Sequence, residues 1–267
     1  MKNWIKRHPS TKRLALLALR LARTLQPVAI SRYPAFLRQW QQFRAAGGAA
    51  SPLDWYPCLH DQTSTTTVDS HYFYQSIWAF ERILASNTWL HIDIGSDVRF
   101  VGMLTIITDT AFLDIRPLKV DLRHYLGIGA TVLQLPFADH SIPSLSSLHV
   151  IEHIGLGRYG DPIDPHGATQ ALHEIQRVLS PGGRLYLSLP IGRPRVQFNG
   201  QRIFQIDQVC AALPELHLIE LSIVDACGHY HETVEPDQIP MNEATSGNDC
   251  GLGLFLFTRE PAIGDAR

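Results

Sequence analysis

Apolar residues recur along this chain at two spacings, and the alternation between them predicts a layered α/β body. Alternating or short apolar runs predict strands at 89–94 (WLHIDI), 110–115 (TAFLDI), 144–150, 184–189 (RLYLSL), 216–224 (LHLIELSIV) and 253–258 (GLFLFT). Three- and four-residue spacings predict helices. Phe73, Ile77, Phe80 and Leu84 share one face behind the N-cap pair Asp69–Ser70. Residues 98–104 read as a short helix, and Ala168, Ala171, Leu172, Ile175 and Leu179 line another that Pro181–Gly182–Gly183 stops. Strands and helices in alternation predict a doubly wound, mostly parallel sheet, closed by an antiparallel pair from the tail. Between that pair lies a loop rich in His, Glu and Pro, at 228–248.

Ahead of this body the pattern changes. Residues 12–24 form an amphipathic helix on paper, with Leu14, Leu17, Ala18, Leu21 and Ala22 on one face and Lys12, Arg13, Arg20 and Arg23 opposite. Pro27 and Pro34 interrupt any continuation of it, and Phe36, Trp40 and Phe43 predict a second short helix before Gly47–Gly48. Three readings stand for the first helix: resting on anionic lipid, packing on the body with solvated arginines, or serving as a targeting presequence. Residues 51–70 are too rich in Thr, Ser and Pro for a regular element. The domain boundary is therefore expected near residue 50, with a basic helical extension at 1–50 and the α/β body at 51–267.

Charge sharpens that division. The 267 residues are 45% hydrophobic with a formal net charge of −2, yet residues 1–53 hold ten Lys/Arg and no acid. The rest carries 13 basic and 25 acidic residues, a formal −12. A body of that sign argues against nucleic acid as partner. Cys58, Cys210, Cys227 and Cys250 form no C-x-x-C pair, which fits a reducing compartment. No apolar run approaches the roughly 20 residues that span a bilayer. A cytoplasmic protein, with peripheral membrane contact through residues 12–24 as one option, is the expectation.

Candidate chemistry gathers where strands end. Asp93–Ile94–Gly95–Ser96 closes the first strand, and Asp114 follows Asp93 by 21 residues. In nucleotide-binding α/β folds a glycine there lets the ligand approach the backbone, and an acid at the second strand's end accepts from ribose hydroxyls. The segments LPFADHSIPSLSSLHVIEHI and RVLSPGGRLYLSLP resemble class I S-adenosylmethionine-dependent methyltransferases over about residues 70–258. With HYFYQ, DIGS, DIRP and EHIGLGRYGDP, the chain is similar to a methyltransferase-like family of unknown function within that superfamily.

The resemblance implies a Rossmann-like seven-stranded sheet, an S-adenosylmethionine pocket, and methyl transfer to a small-molecule or glycan-type hydroxyl. By position it implies that Asp93, Gly95 and Ser96 shape the pocket, Asp114 holds the ribose, and Leu135, Pro136 and Phe137 pass the adenine. The loop 152–161 would face the acceptor. Two features depart from the pattern: the glycine-rich loop is reduced to Gly95, and Thr131 stands where relatives often carry an acid. His153 is the candidate base, its ordinary pKa suiting proton abstraction near neutrality, with Glu152, Tyr159 or Asp161 orienting it or binding hydroxyls. It also reads as a turn-capping histidine. His149, His153, Asp161, Asp164 and His166 lie within eighteen residues, but no H-E-x-x-H motif is present and no metal is assigned. The alternative function is a non-catalytic relative that keeps the pocket as a binding or interaction module.

Overall fold

The computed structural model describes residues 31–234 and 250–261. The predicted basic helix at 12–24 and most of the 228–248 loop lie outside the described residues. The chain divides into two compact units, Met1–Val68 and Asp69–Arg267. The irregular stretch before Asp69 groups with the extension, not with the sheet.

Within the first unit, α1 (Tyr33–Ala45) carries Pro34 in its first turn, where a missing N–H breaks no helical hydrogen bond. Phe36 and Trp40 lie one turn apart, and both meet Trp55 edge-on, with ring centroids 5.5 and 5.2 Å away. Trp40 Nε1 donates to Ala50 O at 3.1 Å.

The second unit begins with α2 (Ser70–Ser86), capped by the Asp69 carboxylate, which accepts from His71 and Tyr72 N–H. There follow β1 (Leu90–Ile94), α3 (Val98–Leu104), β2 (Asp109–Asp114), β3 (Tyr125–Gly129) and β4 (Ile142–Leu148). Next come α4 (Gly167–Val178), β5 (Leu179–Ile191), a hairpin of β6 (Arg195–Gln197) and β7 (Gln201–Ile203), and α5 (Ile206–Ala211). Three strands complete the unit: β8 (Leu216–Val224), β9 (Tyr230–His231) and β10 (Gly251–Arg259).

The sheet order is β3-β2-β1-β4-β5-β10-β8-β9. Its first five strands are parallel, and β10 enters antiparallel between β5 and β8. This is the Rossmann-like, mostly parallel architecture the sequence predicts. It has eight strands and not seven, because Tyr230–His231 pairs with the end of β8. The chain runs outward from β1 through β2 and β3, then returns to β4 on β1's other side. That reversal opens a crevice at the carboxyl ends of β1 and β4.

Alternate residues feed two cores. Ile92, Ile94, Leu113, Leu145 and Leu185 pack with Ala171, Leu172 and Ile175 of α4. Phe112, Leu148 and Tyr186 pack with Trp78 and Ile83 of α2 and Phe100 and Leu104 of α3. The α4 face is the predicted one. The α2 face is not: Gln75, Trp78, Ala79 and Ile83 are buried, while Phe73 and Leu84 remain 48% and 51% exposed. Two apolar stripes run along this helix, and the one with polar anchors wins. Trp78 Nε1 donates to Glu220 on β8 at 3.1 Å, Arg82 Nε donates to the same carboxylate at 2.9 Å, and Gln75 Oε1 accepts from Ser188 on β5 at 2.7 Å.

Pro181–Gly182–Gly183 also behaves differently from the prediction. Leu179 already pairs with Ile142, and Ser144 pairs with Arg184, so the three residues form a bulge inside β5 instead of a separate turn.

Candidate functional site

The site is set by how β4 stops. His149 takes the left-handed backbone conformation, with φ of 60°, which ends the strand at Leu148, two residues short of the end the sequence pattern predicts. A 3₁₀ turn, Ile151–His153, follows at once. The reversal at His149 and the tight turn that follows bring His149, Glu152 and His153 together. Glu152 is 0% exposed. Its Oε1 contacts His149 Nδ1 and lies 3.6 Å from His153 Nε2. Its Oε2 is buried with no hydrogen-bond partner.

The tautomer of His153 follows from its other nitrogen. Nδ1 lies 2.7 Å from Gly200 O, which can only accept, and 3.2 Å from Arg158 Nη1, which can only donate; the shorter contact assigns the proton to Nδ1, and in the neutral ring Nε2 then keeps a lone pair on the side of Glu152. Burial pushes the His153 imidazole below the usual histidine range, outweighing the Glu152 carboxylate that raises it. His71, stacked 5.7 Å from His149, is also lowered, first by burial and then by His149. Tyr72 stacks on His149 at 5.2 Å.

His149 and His153 form one wall of a cleft of about 680 Å³, mouth included, whose other wall is made by Gly95, Asp114, Arg116 and Thr131. Gly95 has φ of 69°, and a Cβ there would stand 3.0 Å from Val150 Cγ1 and 3.6 Å from Asp114 Oδ2. Its hydrogen therefore keeps open the space between β1, β2 and β4. Asp114 Oδ1 accepts from Arg116 N at 2.6 Å, which leaves Oδ2 on the side of Gly95. Ser96 sits beneath the cleft: its N–H donates to Asp93 Oδ1 and its Oγ accepts from Leu148 N, both at 3.0 Å.

Asp93 does not line the cleft. Its carboxylate is fully buried, where Ser146 Oγ donates to it, and burial pushes its pKa up to about 6. Ser146 Oγ also lies 2.8 Å from His91 Nε2, and His91 Nδ1 reaches Ser144 Oγ at 2.7 Å. Burial pushes His91 down to about 3. Asp93 thus shapes the Gly95–Ser96 turn from below. Leu135 and Phe137, expected beside an adenine, pack into the core. The cleft is lined instead by the preceding residues, Ala130 to Leu133.

The loop after His153 is held from inside. Asp161 accepts from Gly155 N at 2.7 Å, Gly157 N at 3.3 Å and Tyr159 N at 3.2 Å. Burial pushes this carboxyl up, yet the backbone donors outweigh it and hold the pKa below the usual range. Asp161 thereby organises the loop, and it also lines the cleft beside His153 and Tyr159. Tyr159 stands at the mouth, edge-on to His153 at 5.7 Å, with Arg116 and Arg158 over its ring at 4.4 and 5.1 Å. Arg202, on β7, is buried and donates to Ile154 O and to Asp164 O at 3.1 Å. Sequence reasoning passed over Arg116, His71 and the partnership of His149 with Glu152. The spacing His149-x-x-Glu152-His153 was the available signal, masked by reading residue 149 as strand.

A family model described as "Caenorhabditis protein of unknown function, DUF268" matches residues 138–213, from before β4 to just past α5. No curated protein matches the chain. Among solved structures, it is similar to 1,6-didemethyltoxoflavin-N1-methyltransferase from Burkholderia thailandensis, solved with 1,6-didemethyltoxoflavin and S-adenosylhomocysteine. The TM-score is 0.49 and the identity 11%, over 71% of this chain and 78% of that one. The [4+2]-cyclase SpnF gives 0.49 and 13%, over 83% and 92%. The N-methyltransferase NodS from Bradyrhizobium japonicum, in complex with S-adenosylhomocysteine, gives 0.48 and 16%, over 71% and 87%. At these identities the likeness is one of fold.

Proposed function

We propose that this chain is an S-adenosylmethionine-dependent methyltransferase acting on a hydroxyl of a small-molecule or glycan-type acceptor. The observation that carries this reading is the pairing of two walls across one cleft at the switch point of the sheet. Gly95 and Asp114 form one wall, and His149 and His153 the other. The residues fit the cofactor. A Cβ at position 95 would fill the space between Val150 and Asp114, and Asp114 Oδ2 faces that space as a ribose acceptor would. Ala130, Val132 and Leu133 supply the apolar flank for a base.

S-adenosylmethionine, when bound, would supply an electrophilic methyl group on a sulfonium. The chain's own part is to hold an acceptor oxygen in line with that methyl and to accept the hydroxyl proton. The forming bond is carbon to oxygen, the breaking bond is carbon to sulfur, and sulfur keeps the electron pair. His153 Nε2 is the nitrogen available for the proton, since Nδ1 is committed to Gly200 O.

The test is calorimetric titration of the full chain with S-adenosylmethionine and S-adenosylhomocysteine. Micromolar binding that Asp114→Ala weakens at least tenfold is expected, a hydrogen bond to a charged group being worth about 1.5–3 kcal/mol. No binding at millimolar ligand would overturn the reading in favour of a non-catalytic module.

A further inference from the structure

We propose that His149, Glu152 and His153 form a binding site for one divalent transition-metal cation of the zinc class, its open coordination position facing the cleft. Their ligand atoms all lie within 4.8 Å of one another. Two ligands of a tetrahedral zinc ion stand roughly 3.4 Å apart at ordinary bond lengths, and His153 Nε2 and Glu152 Oε1 stand at 3.6 Å. His149 Nδ1 and Glu152 Oε1 are in direct contact, so admitting a cation requires these two atoms to part to about that spacing.

Four features single this cluster out. The Glu152 side chain is wholly buried, yet Oε2 has no partner. Leaving a buried carboxyl oxygen without a partner is costly, and a cation at the cluster removes the cost. His153 presents a lone pair at Nε2 because Nδ1 donates to a backbone carbonyl, the outer arrangement that fixes metal-bound histidines. Two imidazoles and one carboxylate make a borderline donor set that suits zinc and its neighbours and not magnesium. Finally, both histidines line the cleft, so three protein ligands leave a fourth position for a ligand from that side, as at catalytic zinc centres.

The chemical role of the site rests on the methyl-transfer reading, while the ligand geometry does not. A cation there would bind the acceptor oxygen and lower its pKa, releasing the proton to solvent. His153 Nε2 then serves as a ligand and not as the proton acceptor. An acceptor with two adjacent oxygens, such as a catechol or a vicinal sugar diol, would suit a cation with an open side.

Among the described residues a second group, Asp225, Cys227 and His229, also has ligand spacing, but Cys227 and His229 are exposed. The two are separable by experiment. Full-length protein stripped with chelator is dialysed against zinc, and bound metal is measured by plasma mass spectrometry. Cobalt is used in parallel for its visible ligand-field band. The inference expects a tight site that His149→Asn and Glu152→Gln each weaken at least tenfold and that Cys227→Ser/His229→Ala leaves intact. Asparagine is chosen at 149 because it tolerates the left-handed backbone, and near-ultraviolet circular dichroism of each variant verifies the fold.

Three results would overturn the proposal: no zinc above the chelated control, affinity unchanged in both cluster variants, or a site lost only in the Cys227/His229 variant. Titration with S-adenosylhomocysteine on the same samples separates the two readings. Cofactor binding without metal removes this inference alone, and metal without cofactor removes the methyl-transfer reading alone.

Discussion

A methyl group added at Gly95 would meet Val150 Cγ1 at 3.0 Å, on a backbone already in the left-handed region. Gly95→Ala should therefore cost about 1–2 kcal/mol of stability from backbone strain alone. It should also weaken S-adenosylhomocysteine at least tenfold, because the new carbon points into the space beside Asp114. Thermal melts and calorimetry read the two effects separately, and unchanged affinity would remove Gly95 from the pocket. Below it, the buried pair His91 and Asp93 makes opposite contributions to stability. Asp93 titrates near 6 in the folded chain against 3.8 when unfolded, so its contribution is complete below pH 3.8 and is lost as pH rises through 6. His91 titrates near 3 against 6.5, so its contribution is complete above 6.5 and is lost as pH falls through 3. Between pH 4 and 6 the two slopes offset. Asp93→Asn should unmask the histidine, giving a stability that climbs by on the order of 3 kcal/mol over that interval. Denaturant titrations at several pH values test this, and parallel wild-type and variant curves would refute it.

At the scale of elements, the loop 154–165 is organised from two sides, by Asp161 within it and by Arg202 from β7. Arg202 is buried and serves several carbonyl oxygens, including Ile154 O and Asp164 O. Arg202→Ala should destabilise the protein by about 2–3 kcal/mol. It should also raise hydrogen exchange in residues 154–165 more than in β1 or β5, and uniform exchange would show the loop holds without it. The sequence made the elements with one dominant signal legible. The α4 periodicity, the β1 and β2 alternation and the Asp69 cap are where the pattern places them. It misled where two signals compete. On α2 two apolar stripes coexist, and only the positions of Glu220 and Ser188, far along the chain, decide between them. The edge strand β3, with Gly127 and Gly129 in five residues, offers too little pattern to read. Within the site, residues tied to local backbone geometry were legible: Gly95, Asp114 and the Glu152–His153 pair. What was hidden depended on a single φ at His149 and on a carbonyl forty-seven residues away at Gly200.

For the molecule as a whole, the division of charge along the sequence carries a further prediction. Among the described residues no helix is long and apolar enough to cross a membrane. The acidic body, at a formal −12, should be repelled by an anionic lipid surface, whereas residues 1–53 carry ten basic residues and no acid. Near such a surface each Lys or Arg contributes about 1 kcal/mol, and the attraction fades within a Debye length. Residues 12–24 combine four of these charges with an apolar face, so the extension should tether the chain to anionic vesicles. Full-length protein is expected to co-sediment with phosphatidylserine-containing vesicles and not with phosphatidylcholine ones. Lys12→Gln/Arg13→Gln/Arg20→Gln/Arg23→Gln should reduce the bound fraction by tenfold or more at low salt, and 0.5 M salt should do the same to the wild type. Binding that survives both changes would mean charge is not what holds the chain there. No sedimentation of the wild type would leave the extension as a packing element of its own unit, built around Trp40 and Trp55.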